Sequence, residues 1–256
     1  MTPDPATRWI VRPRPNPRAA LRLVCFPYAG SGATVFRTWP DALPPEVELV
    51  AIALPGRDAR AREPLVDRLA PLVTCLADEV GPQLRAPFAI FGHSFGAMLG
   101  FGFARELQRR KLGQPVHFFA SGRRAPQLPE RTPLRRLPDP DLLAALRHMG
   151  GIPDAVFDVP ELIDYFLPIL RADIAASETD TIGLDAPLSC PITAMGGVSD
   201  ERVSVDDLDA WRAQTTGPFE REMYPGGHFF LQTDRDRFLS SLSWRLARAI
   251  VAHAAG

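Results

Sequence analysis

The feature that most constrains the fold is the pentapeptide GHSFG at residues 92–96. It follows the apolar run 88–91, which is typical of a buried strand, and it opens an apolar helical pattern that begins at Ala97. A serine with a glycine two residues away on each side, between a strand and a helix, is the pattern of a nucleophile elbow. Both glycines are required because a Cβ atom at either place would collide with the neighbouring strand or helix. The motif therefore predicts that Ser94 is a nucleophile on a sharp turn, beside the free N–H groups of a helix start.

A nucleophilic serine needs a base, and His228 is the histidine best placed to serve as one. It lies in the segment YPGGHFFL at 224–231, between a strand pattern and the C-terminal helix pattern. A loop that follows the last strand can bring its histidine across the edge of the sheet to the serine. His93 lies inside the elbow and is expected to point away from Ser94. The other histidines lie in a strand pattern, a helix pattern and the C-terminal tail: His117, His148 and His253.

The acid of such a triad is expected between the serine and the histidine, at the end of a strand. Residues 191–195 are typical of a buried strand and 196–201 form the loop that leaves it, which favours Asp200. Three later carboxylates are instead typical of a helix N-cap and first turn: Asp206, Asp207 and Asp209. Two others precede the strand: Asp180 and Asp185.

A second oxyanion donor is expected from the loop after an early strand. Residues 21–26 are typical of that strand, and the loop follows at 27–33. By position, the N–H of Tyr28 or Ala29 would join the N–H of Phe95. The loop is not expected to bind phosphate, because the spacing GxxxxGK[ST] is absent.

Strand and helix patterns alternate along the chain, which predicts a mostly parallel sheet flanked by helices. Together with the elbow and its partners, this alternation predicts one α/β-hydrolase domain over residues 1–256. The predicted strands are 9–11, 21–26, 48–53, 88–91, 116–120, 191–195 and 219–224. The predicted helices are 65–79, 96–110, 205–214 and 235–252. The proline-rich stretch 3–17 is expected to be a loosely attached arm.

The long stretch 121–189 interrupts this alternation and contains helical patterns at 140–149 and 160–177. The second pattern is apolar around more than one face, so it must bury two sides. We therefore expect a helical lid over Ser94, inserted at about residues 125–187. Four of its side chains are expected to line the route of an acyl group: Leu162, Tyr165, Phe166 and Ile169. The alternative is an ordinary helical excursion packed on the core.

Composition favours an enzyme of the cytoplasm. No apolar run reaches membrane-spanning length, and no signal-peptide core is present. Three cysteines in apolar contexts are expected to be buried free thiols in a reducing compartment: Cys25, Cys75 and Cys190. The net charge of −1 gives no indication of nucleic-acid binding. We expect no metal and no cofactor.

The basic residues comprise 28 arginines and a single lysine, a ratio that genome bias explains. The alternative is that one of the clusters binds an acidic partner. These clusters lie at 105–111, at 123–124 and at 131–136.

Four motifs stand in the order and spacing of the type II thioesterases, the free-standing editing enzymes of polyketide and nonribosomal peptide synthases. They are FPYAGSG at 26–32, LPGR at 54–57, GHSFG at 92–96 and GGHF at 226–229. The chain resembles members from actinomycete polyketide pathways, of the rifamycin-pathway kind. The resemblance implies Ser94, Asp200 and His228 as the triad, with Ala29 and Phe95 as oxyanion donors.

The resemblance also implies the substrate and the partner. The substrate would be an acyl-phosphopantetheine thioester on an acyl or peptidyl carrier protein, and the phosphopantetheine arm would belong to that carrier. The enzyme, expected to be a monomer, would remove aberrant acyl groups from the synthase. Two alternatives remain: a small-molecule carboxylesterase or lipase, since a triad serves all acyl transfers, and a non-catalytic binding protein with a hydrolase fold.

Overall fold

The computed structural model describes residues 8–84, 87–179, 182–183 and 186–254. Within these ranges, seven strands form one sheet in the order β1-β3-β2-β4-β5-β6-β7. The strands are β1 (Ile10–Val11), β2 (Leu21–Phe26), β3 (Val47–Ile52), β4 (Phe88–His93), β5 (Phe118–Ser121), β6 (Ile192–Gly197) and β7 (Phe219–Tyr224). Only β1, at the edge, is antiparallel to its neighbour. The predicted mostly parallel sheet is confirmed.

The longer helices cover both faces of this sheet. The helices are α1 (Leu69–Glu79), α2 (Phe95–Arg110), α3 (Asp139–Met149), α4 (Asp154–Phe157), α5 (Pro160–Thr179), α6 (Val205–Asp209), α7 (Phe230–Thr233) and α8 (Arg235–Ala254). Alternate residues of β2 face opposite layers: Val24 and Phe26 pack with α1 and α2, whereas Leu23 and Cys25 pack with α8. A parallel sheet buried on both faces requires apolar residues at nearly every position, which is why its central strands are continuous apolar runs.

The strand register brings the functional loops to one edge of the sheet. β2 and β4 are neighbours, with Phe26 paired to Gly92, so the loop after β2 begins beside the elbow. β6 and β7 are also neighbours, with Gly197 paired to Tyr224, so the loops that follow them leave side by side. Because the strands are parallel, all four loops emerge at their carboxyl ends, where sites of α/β proteins form.

The N-terminal segment is fixed from Arg8 onward. Trp9 is buried beneath the guanidinium of Arg60, which lies 3.8 Å from the indole centroid. Farther on, the backbone N–H of Asn16 donates to Glu48 Oε1 at 3.0 Å. The expectation of a loose arm over 3–17 is therefore wrong for residues 8–17, because a tryptophan and a strand anchor them; residues 3–7 lie outside the described residues.

A helical insertion between β5 and β6 contains α3, α4 and α5, and the two helices predicted there are present. Leu142 and Leu146 of α3 pack against Leu170 and Ile174 of α5. The buried residues of α5 follow Pro168, and its first half is more exposed. The expected insertion boundaries, 125–187, enclose residues 180, 181, 184 and 185, which the structure does not describe.

The three cysteines are free, as expected, but only two are buried. Burial raises the pKa of Cys25 well above its ordinary value, and it raises the pKa of Cys190 to about 12. Cys75 is exposed on α1, so the expectation of burial was wrong for this residue: its side chain lies on the outward side of an amphipathic helix. No helix in the described part of the chain is long and apolar enough to cross a membrane.

Candidate active site

The elbow has the strained geometry that the pentapeptide predicts. Ser94 separates β4 from α2 at φ 54° and ψ −117°, outside the regions that residues with a Cβ normally occupy. A Cβ on Gly92 would lie 2.1 Å from the carbonyl oxygen of Gly96, and a Cβ on Gly96 would lie 2.2 Å from that of Phe26. Both contacts are with backbone, which cannot move aside. The two glycines thus let the turn that carries Ser94 pack closely against the end of β2 and the start of α2. The N–H of Ser94 donates to the Ser121 carbonyl at 2.8 Å.

The loops after β6 and β7 bring Asp200 and His228 together. Asp200 Oδ2 lies 2.8 Å from His228 Nδ1, and the two side chains are only 1% and 5% exposed. The second oxygen of Asp200 accepts the backbone N–H of Arg202 at 2.9 Å, which fixes the carboxylate. Gly197 allows the two loops to lie this close together, because a Cβ there would lie 2.1 Å from the carbonyl oxygen of Gly227.

The remaining nitrogen of the imidazole is free to act on the serine. His228 Nε2 is buried and has no hydrogen-bond partner among the residues that the structure describes. Ser94 and His228 line the same cavity, together with Ala29 and Phe95. Phe95 is the first residue of α2, so its N–H has no acceptor within the helix. The structure therefore brings together all five residues that the sequence indicates for the triad and the oxyanion hole.

His93 contacts His228, the histidine that the sequence indicates as the base. Its Nδ1 lies 2.9 Å from Ser121 Oγ, and its ring centroid lies 5.0 Å from that of His228. Burial lowers the pKa of His93 well below its ordinary value, and the neighbouring His228 lowers it further. His93 therefore stays neutral beneath His228. Sequence reasoning missed this contact, because both histidines lie in loops or strand ends that meet only in the folded chain.

The cavity at Ser94 combines apolar and charged walls. The insertion supplies its apolar wall: Leu134, Leu146, Met149, Ile152, Leu170 and Ile174. Arg123 and Arg124 lie in the charged wall, although the sequence left them open as an acidic-partner site. Arg124 is buried and pairs with Asp207 at 2.7 Å, and Arg123 donates to the Ser177 carbonyl at 3.0 Å. That hypothesis is wrong for these two arginines, because internal carboxylates and carbonyls already occupy them.

A second cavity lies between the loop after β2 and the insertion. Of the four residues expected along the acyl route, Tyr165, Phe166 and Ile169 line this cavity, whereas Leu162 is 38% exposed and lines neither cavity. The two cavities share four lining residues and so meet beside the loop that follows β2 (residues 27–33), called the oxyanion loop below for the role that the sequence indicates: Tyr28, Ala29, Ile152 and Leu170.

The second cavity also shows a residue that sequence reasoning missed. Arg57 lines this cavity and forms a buried ion pair with Asp173 of α5. A carboxylate within the apolar face of a helix was the signal that could have revealed it.

Comparison with known proteins gives the family. The model of the thioesterase domain matches residues 21–245. Gramicidin S biosynthesis protein GrsT of Aneurinibacillus migulanus is 42% identical over 88% of each chain. RedJ, the thioesterase of the prodiginine pathway in Streptomyces coelicolor, is 40% identical with a TM-score of 0.83 over 93% of this chain and 92% of its own. BorB, the type II thioesterase of the borrelidin cluster, is 32% identical with a TM-score of 0.81 over 93% of this chain and 96% of its own. The chain therefore belongs to the thioesterase family: it is a hydrolase of thioesters with an α/β-hydrolase fold.

Proposed function

We propose that this enzyme is a type II, editing thioesterase. It hydrolyses acyl-phosphopantetheine thioesters on acyl or peptidyl carrier proteins and so removes aberrant acyl groups from a polyketide or nonribosomal peptide synthase. The observation that carries this proposal is the similarity, along nearly the whole chain, to GrsT, RedJ and BorB, whose names place them in peptide, prodiginine and borrelidin biosynthesis. The geometry at Ser94 supports acyl transfer. The similarity to rifamycin-pathway enzymes stays a prediction.

Catalysis on this proposal proceeds through an acyl-serine. Ser94 Oγ attacks the thioester carbonyl and passes its proton to His228 Nε2, while Asp200 holds the Nδ1–H and stabilises the imidazolium. The N–H groups of Ala29 and Phe95 bind the oxyanion, and each such donor contributes roughly 10²–10³ in rate. The intermediate collapses and expels the pantetheine thiol, which takes its proton from His228.

Water completes the reaction. His228 Nε2 takes a proton from a water molecule as that water attacks the acyl-serine carbonyl, and the same oxyanion donors stabilise the second intermediate. Collapse of this intermediate returns the proton to Ser94 Oγ and releases the free acid. Every proton moves through His228, so on this proposal the chain needs no metal and no cofactor of its own.

The helical insertion is the proposed lid and selectivity element. The two cavities meet at Ala29. A thioester bound at Ser94 can therefore place its acyl group in one cavity and its pantetheine arm in the other. Tyr165, Phe166 and Ile169 are proposed to line the acyl route, and their bulk would set which chains fit. Leu162, being partly exposed and away from both cavities, is proposed for the outer surface of the lid.

The decisive experiment compares matched acyl donors. The same acyl group is offered as a carrier-protein thioester, as an N-acetylcysteamine thioester and as an oxygen ester, and kcat/KM is measured for each. The proposal expects the carrier thioester to be the best substrate and Ser94→Ala to abolish its hydrolysis, while the matched variant Ser240→Ala, on the exposed face of α8, keeps full activity. Preference for the oxygen ester would favour a carboxylesterase, and no turnover of any donor would favour a binding protein.

The cellular setting completes the proposal. The three cysteines are unpaired, which supports a reducing compartment, and we propose that the enzyme works in the cytoplasm as a monomer beside its synthase. Size-exclusion chromatography with light scattering measures the oligomeric state directly, and a dimer at working concentration would contradict the monomer.

A further inference from the structure

Asp173 of α5 is a buried carboxylate with three hydrogen bonds. Its Oδ2 accepts from Arg57 Nη1 at 2.5 Å and from the backbone N–H of Gly30 at 2.8 Å, and its Oδ1 accepts from Arg57 Nη2 at 2.8 Å. The side chain of Asp173 is 1% exposed and that of Arg57 is 6% exposed. The two planar groups form a bidentate pair, which fixes their relative orientation as well as their distance.

The pair holds the backbone that follows Ala29. Asp173 binds the N–H of Gly30, and Arg57 Nη1 also donates to the carbonyl of Ser31 at 3.1 Å. Ser31 in turn donates from its N–H and from its Oγ to the carbonyl of Tyr28, at 3.0 and 2.7 Å. The peptide units on both sides of Ala29 are therefore tied, through Arg57 and Asp173, to α5.

Side-chain packing also connects the oxyanion loop to α5. Gly30 has φ +77°, and a Cβ on it would lie 2.5 Å from Leu170 Cδ2, one turn before Asp173 on α5. Leu170 lines both cavities that meet at Ala29. α5 thus contacts the oxyanion loop with an apolar side chain and a carboxylate, while its Pro168 interrupts the helical hydrogen bonding just before this contact.

A buried ion pair contributes little net stability, because the desolvation of both charges offsets their attraction. Stability therefore does not explain why this ion pair is present. A role in positioning the oxyanion loop does explain it. We propose that Asp173 and Arg57 are positioning residues, which couple the helical insertion to the oxyanion loop and so hold the N–H of Ala29 at the place of the developing oxyanion. This inference rests on the proposed function, since it assigns the Ala29 N–H to that reaction.

The test uses Asp173→Asn and Arg57→Lys in the full chain, with an N-acetylcysteamine thioester as substrate. Asparagine has nearly the same shape but loses the charge, and lysine cannot form the bidentate pair. Loss of one oxyanion donor reduces kcat roughly 10²–10³-fold, so a displaced donor should reduce it about 10–100-fold, with KM within about threefold. Affinity for a trifluoromethyl ketone, which forms an oxyanion on Ser94, should fall by the same factor as kcat.

The matched control is Asp207→Asn. Asp207 is also buried and also pairs with an arginine, Arg124 at 2.7 Å, but it contacts no residue of the oxyanion loop in the described structure. This variant should lose stability to a similar extent and keep kcat within about threefold. Equal losses of kcat in Asp207→Asn and Asp173→Asn would reduce the role of Asp173 to general stability and overturn the proposal.

A double variant separates positioning from folding. Arg57→Met/Asp173→Leu replaces the pair with apolar side chains and removes both buried charges, so it should unfold at a temperature closer to that of the wild type than either single variant. Its kcat should stay low, because neither substituted side chain can bind the N–H of Gly30 or the carbonyl of Ser31. Wild-type kcat in a folded double variant would overturn the proposal. A wild-type enzyme that hydrolyses no acyl thioester would instead overturn the proposed function and this inference with it.

Discussion

The strain at Ser94 predicts that glycine is more stable than alanine at this position. The backbone there lies at φ 54° and ψ −117°, and such a conformation costs a residue with a Cβ roughly 1–3 kcal/mol. Alanine keeps that strain. Glycine removes it but increases the entropy of the unfolded chain, at a cost of about 0.5–1 kcal/mol. The midpoints of these two ranges differ by about 1 kcal/mol, so we expect Ser94→Gly to exceed Ser94→Ala in free energy of unfolding by about that amount, or roughly 2–4 °C in Tm for a chain of this size.

Urea denaturation followed by circular dichroism measures this difference. The matched control is the same pair of substitutions at Ser240, an exposed position within α8. There the helix is unstrained, and glycine should be less stable than alanine by about 1 kcal/mol.

The reasoning requires opposite signs at the two positions. If Ser94→Ala is as stable as Ser94→Gly, the folded protein stores no strain at the elbow. If glycine is the more stable residue at both positions, the difference at Ser94 has another origin. Either result would refute the argument that the fold forces Ser94 out of an ordinary backbone conformation.

Three further outcomes are expected. Asp200→Asn should lower kcat about 10³–10⁴-fold with the fold retained, because an amide beside Nδ1 favours the wrong tautomer of His228; a loss below tenfold contradicts this role. Phe166→Ala should shift kcat/KM toward bulkier acyl groups, by roughly 1–3 kcal/mol for each methylene accommodated, and keep acetyl hydrolysis within a few-fold; an unchanged acyl profile argues for static packing. Burial lowers the pKa of His117 to about 4. The unfolded state therefore binds the proton more readily, and stability should fall between about pH 6.5 and 4, by roughly 2 kcal/mol at pH 5. His117→Gln should flatten that part of the denaturation profile, and an unaltered profile would contradict the assignment.

Local spacing was sufficient to predict the elbow and most of the sheet. The strands at 21–26 and 219–224 have the predicted bounds, since apolar residues and turn signals define both ends in the sequence. Other boundaries moved by a few residues. The first helix begins at Leu69 instead of residue 65, and the helix expected over 205–214 is α-helical only to Asp209 and continues as a 3₁₀ helix to Gln214. Trp211 lies in that last turn, fully buried and hydrogen-bonded to the carbonyl of Arg123, so a tertiary contact and not propensity decides its geometry.

Contacts between distant residues could not be predicted in this way. Asp173 lies 116 positions after Arg57, and no periodicity in either segment indicates the other. The same holds for Trp9 beneath Arg60 and for His93 against His228. The order of the strands could not be predicted either, because an apolar run indicates that a strand is buried but not which strand it pairs with. The residues of the proposed triad were an exception: they lie at the carboxyl ends of parallel strands, which meet at one edge whatever their order.

The proposed coupling divides the insertion into two parts with different tolerance to change. Leu170 and Asp173 of α5 contact the oxyanion loop at Gly30, so on this proposal substitutions of these two residues alter the reaction itself. Tyr165 and Phe166 precede Pro168 and line only the second cavity. On this proposal, their size changes which acyl groups fit and leaves the Ala29 N–H in place. An editing enzyme that meets many aberrant acyl groups needs this separation, because its acyl preference can then change while the machinery that hydrolyses every thioester stays fixed.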